Sequence, residues 1–408
     1  MTAAPASHPS KSAQLRQLGV LIGCNFVDML GFAMVFPLLP FYALRLHASD
    51  AAVGWLIASF SIMQLVAAPI WGRVSDRYGR RPALIIGLTA SALAFFVFGF
   101  ADALWLLFLS RIVQGAGGGT TGVAQAYVSD TVDPRDRARA LGWLSAATNA
   151  GVSIGPAVGS LATHLGREAP GYFAAVLCLL NAIAAWKWLP ESRRPVPTGQ
   201  TTRRKPIWHA AWTVLKQRSG RAERLIWIYG TGMLAFSLLT SVLALWLGAR
   251  FGVTEKTIGW FFVYYGVLSF LMRLMFVGPV VDRIGEIWSM RVGMLLLATG
   301  MLLYPLVPNV WVLIAVIPFV PVGTALMFPA ITSLLSHATD PAELGTTMGV
   351  AQTFAGIARV IAPIAGTMAF QWIGISSPFF AGGAIVLLVS WAAFRYVRPA
   401  PAPMAPAP

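Results

Sequence analysis

Apolar runs of roughly 20 residues, each long enough to cross a hydrocarbon core about 30 Å thick, recur twelve times along this chain. They cover residues 18–42, 53–72, 83–101, 103–129, 140–163 and 171–189, then 225–247, 257–279, 287–307, 310–335, 346–370 and 377–397. The runs are continuously apolar and do not alternate, and lipid leaves no backbone group unpaired, so helices are predicted and barrel strands are not. Only 11% of the 408 residues are charged, against about 25% in soluble domains, which excludes a water-soluble fold. The expected fold class is an all-α membrane protein with twelve transmembrane helices.

A net charge of +15 would suit a nucleic-acid binder, but the charges lie where a bilayer would sort them. With the N-terminus inside, 23 of the 30 Lys and Arg fall in cytoplasmic tails, loops or helix ends, and four (Arg45, Arg167, Arg250 and Lys256) fall outside. This obeys the positive-inside rule with both termini cytoplasmic, so the lipid bilayer is the partner and no nucleic acid is needed. No short apolar segment with a cleavage site precedes residue 18, and the first run is expected to direct insertion. Cys24 and Cys178 lie in different runs, which argues against a disulfide framework and offers no metal spacing. No cluster of His, Cys and carboxylate appears, so the expectation is no enzyme, no metal and no cofactor. Abundant Ala and an excess of Arg over Lys hint at a GC-rich bacterial gene, and hence a bacterial inner membrane.

The chain repeats once. GRVSDRYG at 72–79 returns as GPVVDRIG at 278–285, Asp133-Pro134 as Asp340-Pro341, Gly142 as Gly349, and Pro156 with Gly159 as Pro363 with Gly366, at offsets of 206 or 207. Gly54-Trp55 and Gly259-Trp260 match with a one-residue slip. The domain reading is a cytoplasmic tail (1–17), a six-helix bundle (18–189), a basic linker (190–224), a second six-helix bundle (225–398) and a Pro/Ala-rich disordered tail (399–408). The linker contains an amphipathic piece at 207–216 with Trp208 and Trp212, suited to the membrane interface. Duplicated bundles of this kind enclose a site near the bilayer midplane and rock about it, which is a transporter's architecture.

Residues 72–81, GRVSDRYGRR, join the second and third runs. Gly72 and Gly79 permit a tight turn, Asp76 can accept from helix-terminal N–H groups, and Arg77, Arg80 and Arg81 offer rigid forks to carboxylates. Such a cluster can latch one conformation, whereas a topology anchor needs neither the Asp nor the glycines. In the second repeat Glu286 and Ile287 stand at the positions of Arg80 and Arg81, so the latch there is degraded. Arg111 lies about 12 Å from the outer end of the fourth run, too deep to snorkel, and Asp28 about 15 Å into the first. The depths allow an ion pair, which Asn25, one turn from Asp28, could join. A carboxylate holds its proton more firmly when desolvated and less firmly beside a guanidinium. Motion that alternately hides Asp28 and brings Arg111 close would therefore load and release a proton; the alternative is a static pair tying two helices together. Gly151, Gly155, Pro156 and Gly159 give the fifth run a small face and a kink, suited either to sealing against the opposite half or to ordinary close packing.

These motifs resemble those of the major facilitator superfamily, and the resemblance covers essentially the whole chain. Residues 72–81 match its signature between helices 2 and 3, and LSRIVQG at 109–115 resembles the motif of its proton-coupled members. Residues 151–159 resemble its antiporter motif, with Ser160 where a final glycine is usual. Asp28, Gly31, Pro37 and Pro40 resemble helix 1 of the tetracycline-efflux branch of the twelve-helix drug:proton antiporters. The resemblance implies the major facilitator fold, two pseudo-symmetric six-helix bundles. It also implies that Asp76 faces the start of helix 11 and that the arginines engage an acid at the end of helix 4, here Asp130.

The second repeat has Leu234 and Pro318 where the first has Asp28 and Arg111, so proton chemistry is expected in the first half and substrate contacts mainly in the second. Asn25, Gln114, Phe236, Tyr264, Tyr265, Met327 and Phe328 would suit a greasy, adaptable pocket. Arg359, within the eleventh run, would favour an anionic or zwitterionic substrate, while Arg273 is near enough to the end of its run to snorkel. The expected function is proton-coupled antiport, by a monomer, that exports small hydrophobic or amphipathic molecules, with the small-molecule substrate and protons as partners. Uptake of an organic anion read by Arg359 and a non-transporting sensor of the same fold are the alternatives. The fifth-run motif argues against the first, and intact Asp28 and Arg111 against the second.

Overall fold

A computed structural model describes residues 11–192, 220–340 and 343–396. Residues 1–10, most of the linker with its amphipathic piece at 207–216, Pro341 of the repeated Asp-Pro pair, and the tail at 399–408 lie outside the described residues.

Twelve helical spans form among the described residues. The first is α1 (Lys11–Val35), a 3-10 turn (Phe36–Leu38) and α2 (Leu39–Arg45), the turn falling where Pro37 and Pro40 interrupt the backbone ladder. The next two are α3 (Asp50–Tyr78) and α4 (Arg80–Gly99). The fourth is broken into α5 (Leu104–Gly117) and α6 (Thr120–Thr131), because three glycines in a row, Gly117 to Gly119, hold a helix poorly. Spans five to seven are α7 (Pro134–Ala162), α8 (Ala169–Trp188) and α9 (Arg221–Phe251). The eighth runs from α10 (Ile258–Leu271) through a π-helical turn (Met272–Phe276) into α11 (Val277–Leu303), whose helix is kinked at Gly285 with φ 79°. Beyond that kink α11 is the ninth span. The tenth is α12 (Val310–Val316) and α13 (Phe319–His337), and the last two are α14 (Leu344–Trp372) and α15 (Ser377–Tyr396).

By length and hydropathy alone nine stretches among the described residues qualify as membrane-crossing, one of them 49 residues long and covering the eighth and ninth spans. The fourth span escapes because it is broken, and the fifth because Gly, Ser, Thr, Asn and its terminal charges dilute α7. Cys24 and Cys178 are buried free thiols.

The chain groups into two compact units: 1–48 with 59–201 and 254–266, and 49–58 with 202–253 and 267–408. In the first, α1 packs on α7 and α8, and α4 on α8 and α5; in the second, α9 packs on α14 and α15, and α11 on α15 and α13. The same pattern at repeat-related positions is what duplication of one six-helix unit produces. The initial turns of the second and eighth spans are exchanged between units. A Cβ on Gly259 would lie 2.5 Å from the Pro156 carbonyl oxygen in the first, and one on Gly54 would lie 2.6 Å from the Pro363 carbonyl oxygen in the second.

Gly151, Gly155 and Gly159 recur every four residues along α7, on one face, and that face meets α1. A Cβ at Gly151 would sit 2.6 Å from the Phe26 carbonyl oxygen, one at Gly155 would sit 2.7 Å from that of Leu30, and one at Gly159 would collide with the Met34 carbonyl. The three glycines thus pack α7 closely against α1 inside the first unit, as the close-packing alternative has it. The neighbouring face, Ser153, Pro156 and Ser160, meets Gly259 and Gly266 of the eighth span. Ser160 donates to the Glu255 carbonyl (2.9 Å) and accepts from the Gly259 amide (2.8 Å), so the residue that departs from the antiporter pattern makes a two-way bond that glycine could not.

Gly159→Leu should lower stability by about 1–3 kcal/mol, the usual cost of overpacking, read as a fall in the unfolding midpoint in detergent. Gly142→Ala, where a Cβ meets only open space, should leave the midpoint unchanged or raise it.

Candidate functional site

Asp28 lies on α1, 7% exposed, and its Oδ2 accepts a 2.8 Å hydrogen bond from Thr120 Oγ1 at the start of α6. The break at Gly117–Gly119 makes this possible. It restarts the helix at Thr120, and α4 comes close at Gly87, where a Cβ would sit 2.6 Å from Thr120 Cγ2. Arg111, on α5 and 1% exposed, forms no ion pair with Asp28. Its guanidinium carbon instead sits 5.8 Å from the ring centroid of Phe95 and 5.7 Å from that of Phe98, both on α4, and Nη2 has no hydrogen-bond partner. Phe95 also touches the helix that carries Asp28: its Cε2 is 3.3 Å from where a Cβ on Gly31 would lie. The two side chains are held separately, Asp28 by a hydroxyl and Arg111 by aromatic faces.

Asn25 joins neither. Its amide donates to the Leu144 carbonyl (3.2 Å) and to Thr148 Oγ1, tying α1 to α7. Gln114, one turn beyond Arg111, is 4% exposed, and its Oε1 has no partner.

The 72–81 segment forms a charge cluster at the ends of three spans. Gly79 adopts φ 108°, a turn that puts Arg80 at the first position of α4. Arg80 bridges Asp76 (2.8 Å) and Asp130 (3.0 Å) and donates to Ser75 Oγ (2.7 Å). Asp130 is the acid that the resemblance implied. Asp76 pairs with Arg80, and among the described residues it accepts from no helix terminus. Glu191 does that work: it accepts from the backbone amides of Arg80 (2.8 Å) and Arg81 (3.1 Å), capping α4 from just past the end of α8. Gly79 leaves room for that carboxylate, since a Cβ there would lie within 2.7 Å of Glu191 Cδ. Arg81 donates to the Trp186 carbonyl, Arg77 stacks 5.4 Å from the Tyr78 ring, and Gly72 is exposed. Sequence reasoning passed over Glu191, although Pro190-Glu191-Ser192 supplies an acid close beyond a span end near Arg81.

In the second unit Phe328 sits at the centre of an aromatic group, 5.5 Å from Tyr229 and 6.3 Å from Phe236 by ring centroids. Gln352 donates to the Tyr229 hydroxyl (3.3 Å), and Arg359 lies within electrostatic reach of the same ring. Met327 is not part of this group: fully buried, it packs where Gly232 and Gly293 make room, as a helix-contact residue. Tyr264 and Tyr265, half-buried on α10, belong to the first unit. The degenerate copy of the 72–81 motif is rewired, with Glu286 accepting from Ser333 Oγ and paired with His337 (3.3 Å). Arg273 is exposed within the π-helical turn.

Twelve apolar helices in two repeat-related bundles, with a carboxylate and a guanidinium buried in the interior of one, define a multi-pass membrane transport protein. The profile of the Major Facilitator Superfamily matches residues 21–247 and 225–408, and the chain belongs to that superfamily. It is 30% identical to multidrug resistance protein 1 of Bacillus subtilis (strain 168) over 93% of this chain and 97% of that one. It is 29% identical to the class C tetracycline resistance protein of Escherichia coli over 90% and 94%. Among solved structures it is similar to a bacterial homologue of the human lysosomal transporter Spinster, with a TM-score of 0.77 and 15% identity over 97% of this chain and 100% of that one, a likeness that shows the fold.

Replacing Glu191 by Ala should cost about 1 kcal/mol, as loss of a helix cap does, and speed amide exchange at residues 80 and 81. Glu191→Gln, which keeps an acceptor oxygen, should retain most of that protection.

Proposed function

We propose that the protein is a proton-coupled antiporter that exports small hydrophobic or amphipathic compounds, tetracycline-like molecules among them, by alternating access. Similarity to a multidrug and a tetracycline resistance protein over nine-tenths of the chain carries this reading. Two buried side chains of the first unit support a coupling role. Asp28, buried in the first unit and held by Thr120, is the proton carrier. Arg111 is a cation with no carboxylate partner, separated from α1 by Phe95, and a rearrangement of α4 or α5 that brought it to Asp28 would expel the proton. Within the second unit Phe236, Tyr229 and Phe328 contribute an aromatic wall for the substrate, with Arg359 as a polar contact. The Arg80 bridge to Asp76 and Asp130 is the conformational latch, positioned by Glu191.

The protein works as a monomer in a bacterial inner membrane with both termini in the cytoplasm, as the distribution of Lys and Arg favours. One charge moving through 100 mV supplies about 2.3 kcal/mol, which supports roughly 50-fold accumulation.

In liposomes with an acidic lumen, external addition of a transported compound should alkalinise the lumen, and Asp28→Asn should abolish that flux without preventing purification of folded protein. Acidification on addition would mean symport. Substrate movement that the substitution leaves unchanged would exclude Asp28 as the carrier.

A further inference from the structure

A cleft of about 710 Å³ opens at the end of the first unit that carries the 72–81 loop, and neither Asp28 nor Arg111 lines it. It lies where three spans converge: Arg16 and Gln17 come from α1, Arg81 from the start of α4, and Lys187, Trp188 and Pro190 from the end of α8 and the turn beyond it. Among the described residues three cations line it and no carboxylate does. The nearest acid in sequence, Glu191, is committed to the amides of Arg80 and Arg81. Arg81 spends Nη2 on the Trp186 carbonyl and leaves a buried Nε without a partner. Arg16 and Lys187 are exposed and form no ion pair among the described residues.

Three converging cations in a volume typical of ligand pockets call for a multivalent oxyanion. A soluble phosphate and a lipid headgroup share that chemistry, and the setting decides between them. The cleft sits at the ends of membrane spans, and Trp186 and Trp188 beside it are 63% and 50% exposed, as aromatic side chains at the headgroup level are. We propose that this cleft binds the phosphate of an anionic phospholipid headgroup, with Arg16, Arg81 and Lys187 around the phosphate and Trp188 at the boundary with the acyl chains. Basic pockets between transmembrane helices are suited to such headgroups. Because Arg81 follows the latch residue Arg80, an occupied cleft also steadies the start of α4.

The test uses purified full-length protein in nanodiscs of phosphatidylcholine doped with phosphatidylglycerol of the same acyl chains, with retained lipid counted by native mass spectrometry. Wild type should retain one phosphatidylglycerol in preference to phosphatidylcholine. Arg16→Gln combined with Lys187→Gln should reduce that preference about 30-fold, the loss expected for two basic groups at a membrane surface. Arg16→Lys with Lys187→Arg, which keeps both charges, should restore it. Equal retention of the two lipids by wild type, or an unchanged preference in the neutral variant, overturns the proposal. So does displacement of the lipid by an equal concentration of soluble glycerol phosphate, which would make the ligand a free anion.

Discussion

In hydrocarbon one helix gains little by burying a leucine against another, so spans associate only where their backbones can come close enough for dense contact. In this protein α1 and α7 meet through Gly151, Gly155 and Gly159, each facing a carbonyl of α1 with no side chain between. The same device recurs at Gly87 and Gly117 between α4 and the fourth span, and at Gly293 and Gly323 between α11 and α13. Everything functional hangs on these approaches. Asp28 reaches Thr120 because α1 is drawn in by α7 and the fourth span is drawn in by α4.

The buried charges are tolerated for different reasons. Asp28 accepts a hydrogen bond from the Thr120 hydroxyl. Arg111 has neither a carboxylate nor a full set of acceptors, and the faces of Phe95 and Phe98 supply the electron-rich surroundings instead.

Duplication set the frame and divergence then divided the labour. The packing of α1, α4, α7 and α8 reappears in α9, α11, α14 and α15, yet Leu234 and Pro318 remove the charges from the second copy. Its loop motif keeps the turn at Gly285 but has a Glu286, Ser333 and His337 group where the first copy has the Arg80 ion pairs.

The sequence by itself determined the membrane setting, the helical class, the twelve spans, the repeat and the depth at which Asp28 and Arg111 lie, because these follow from hydropathy, rise per residue and self-similarity along one dimension. It also pointed to Asp130 as an arginine partner, though only through resemblance. Tertiary structure decided the partners: Thr120 for Asp28, Phe95 and Phe98 for Arg111, Glu191 for the start of α4, α7 for Asn25, and α1 for the glycine face. Glu191 and the amides it caps are about 110 residues apart, Asp28 and Thr120 92 apart. Spacing within a helix fixes which residues share a face, but not the rotation of that helix against its neighbours. That rotation is set by which small residues let which backbones touch, a property of the assembled bundle.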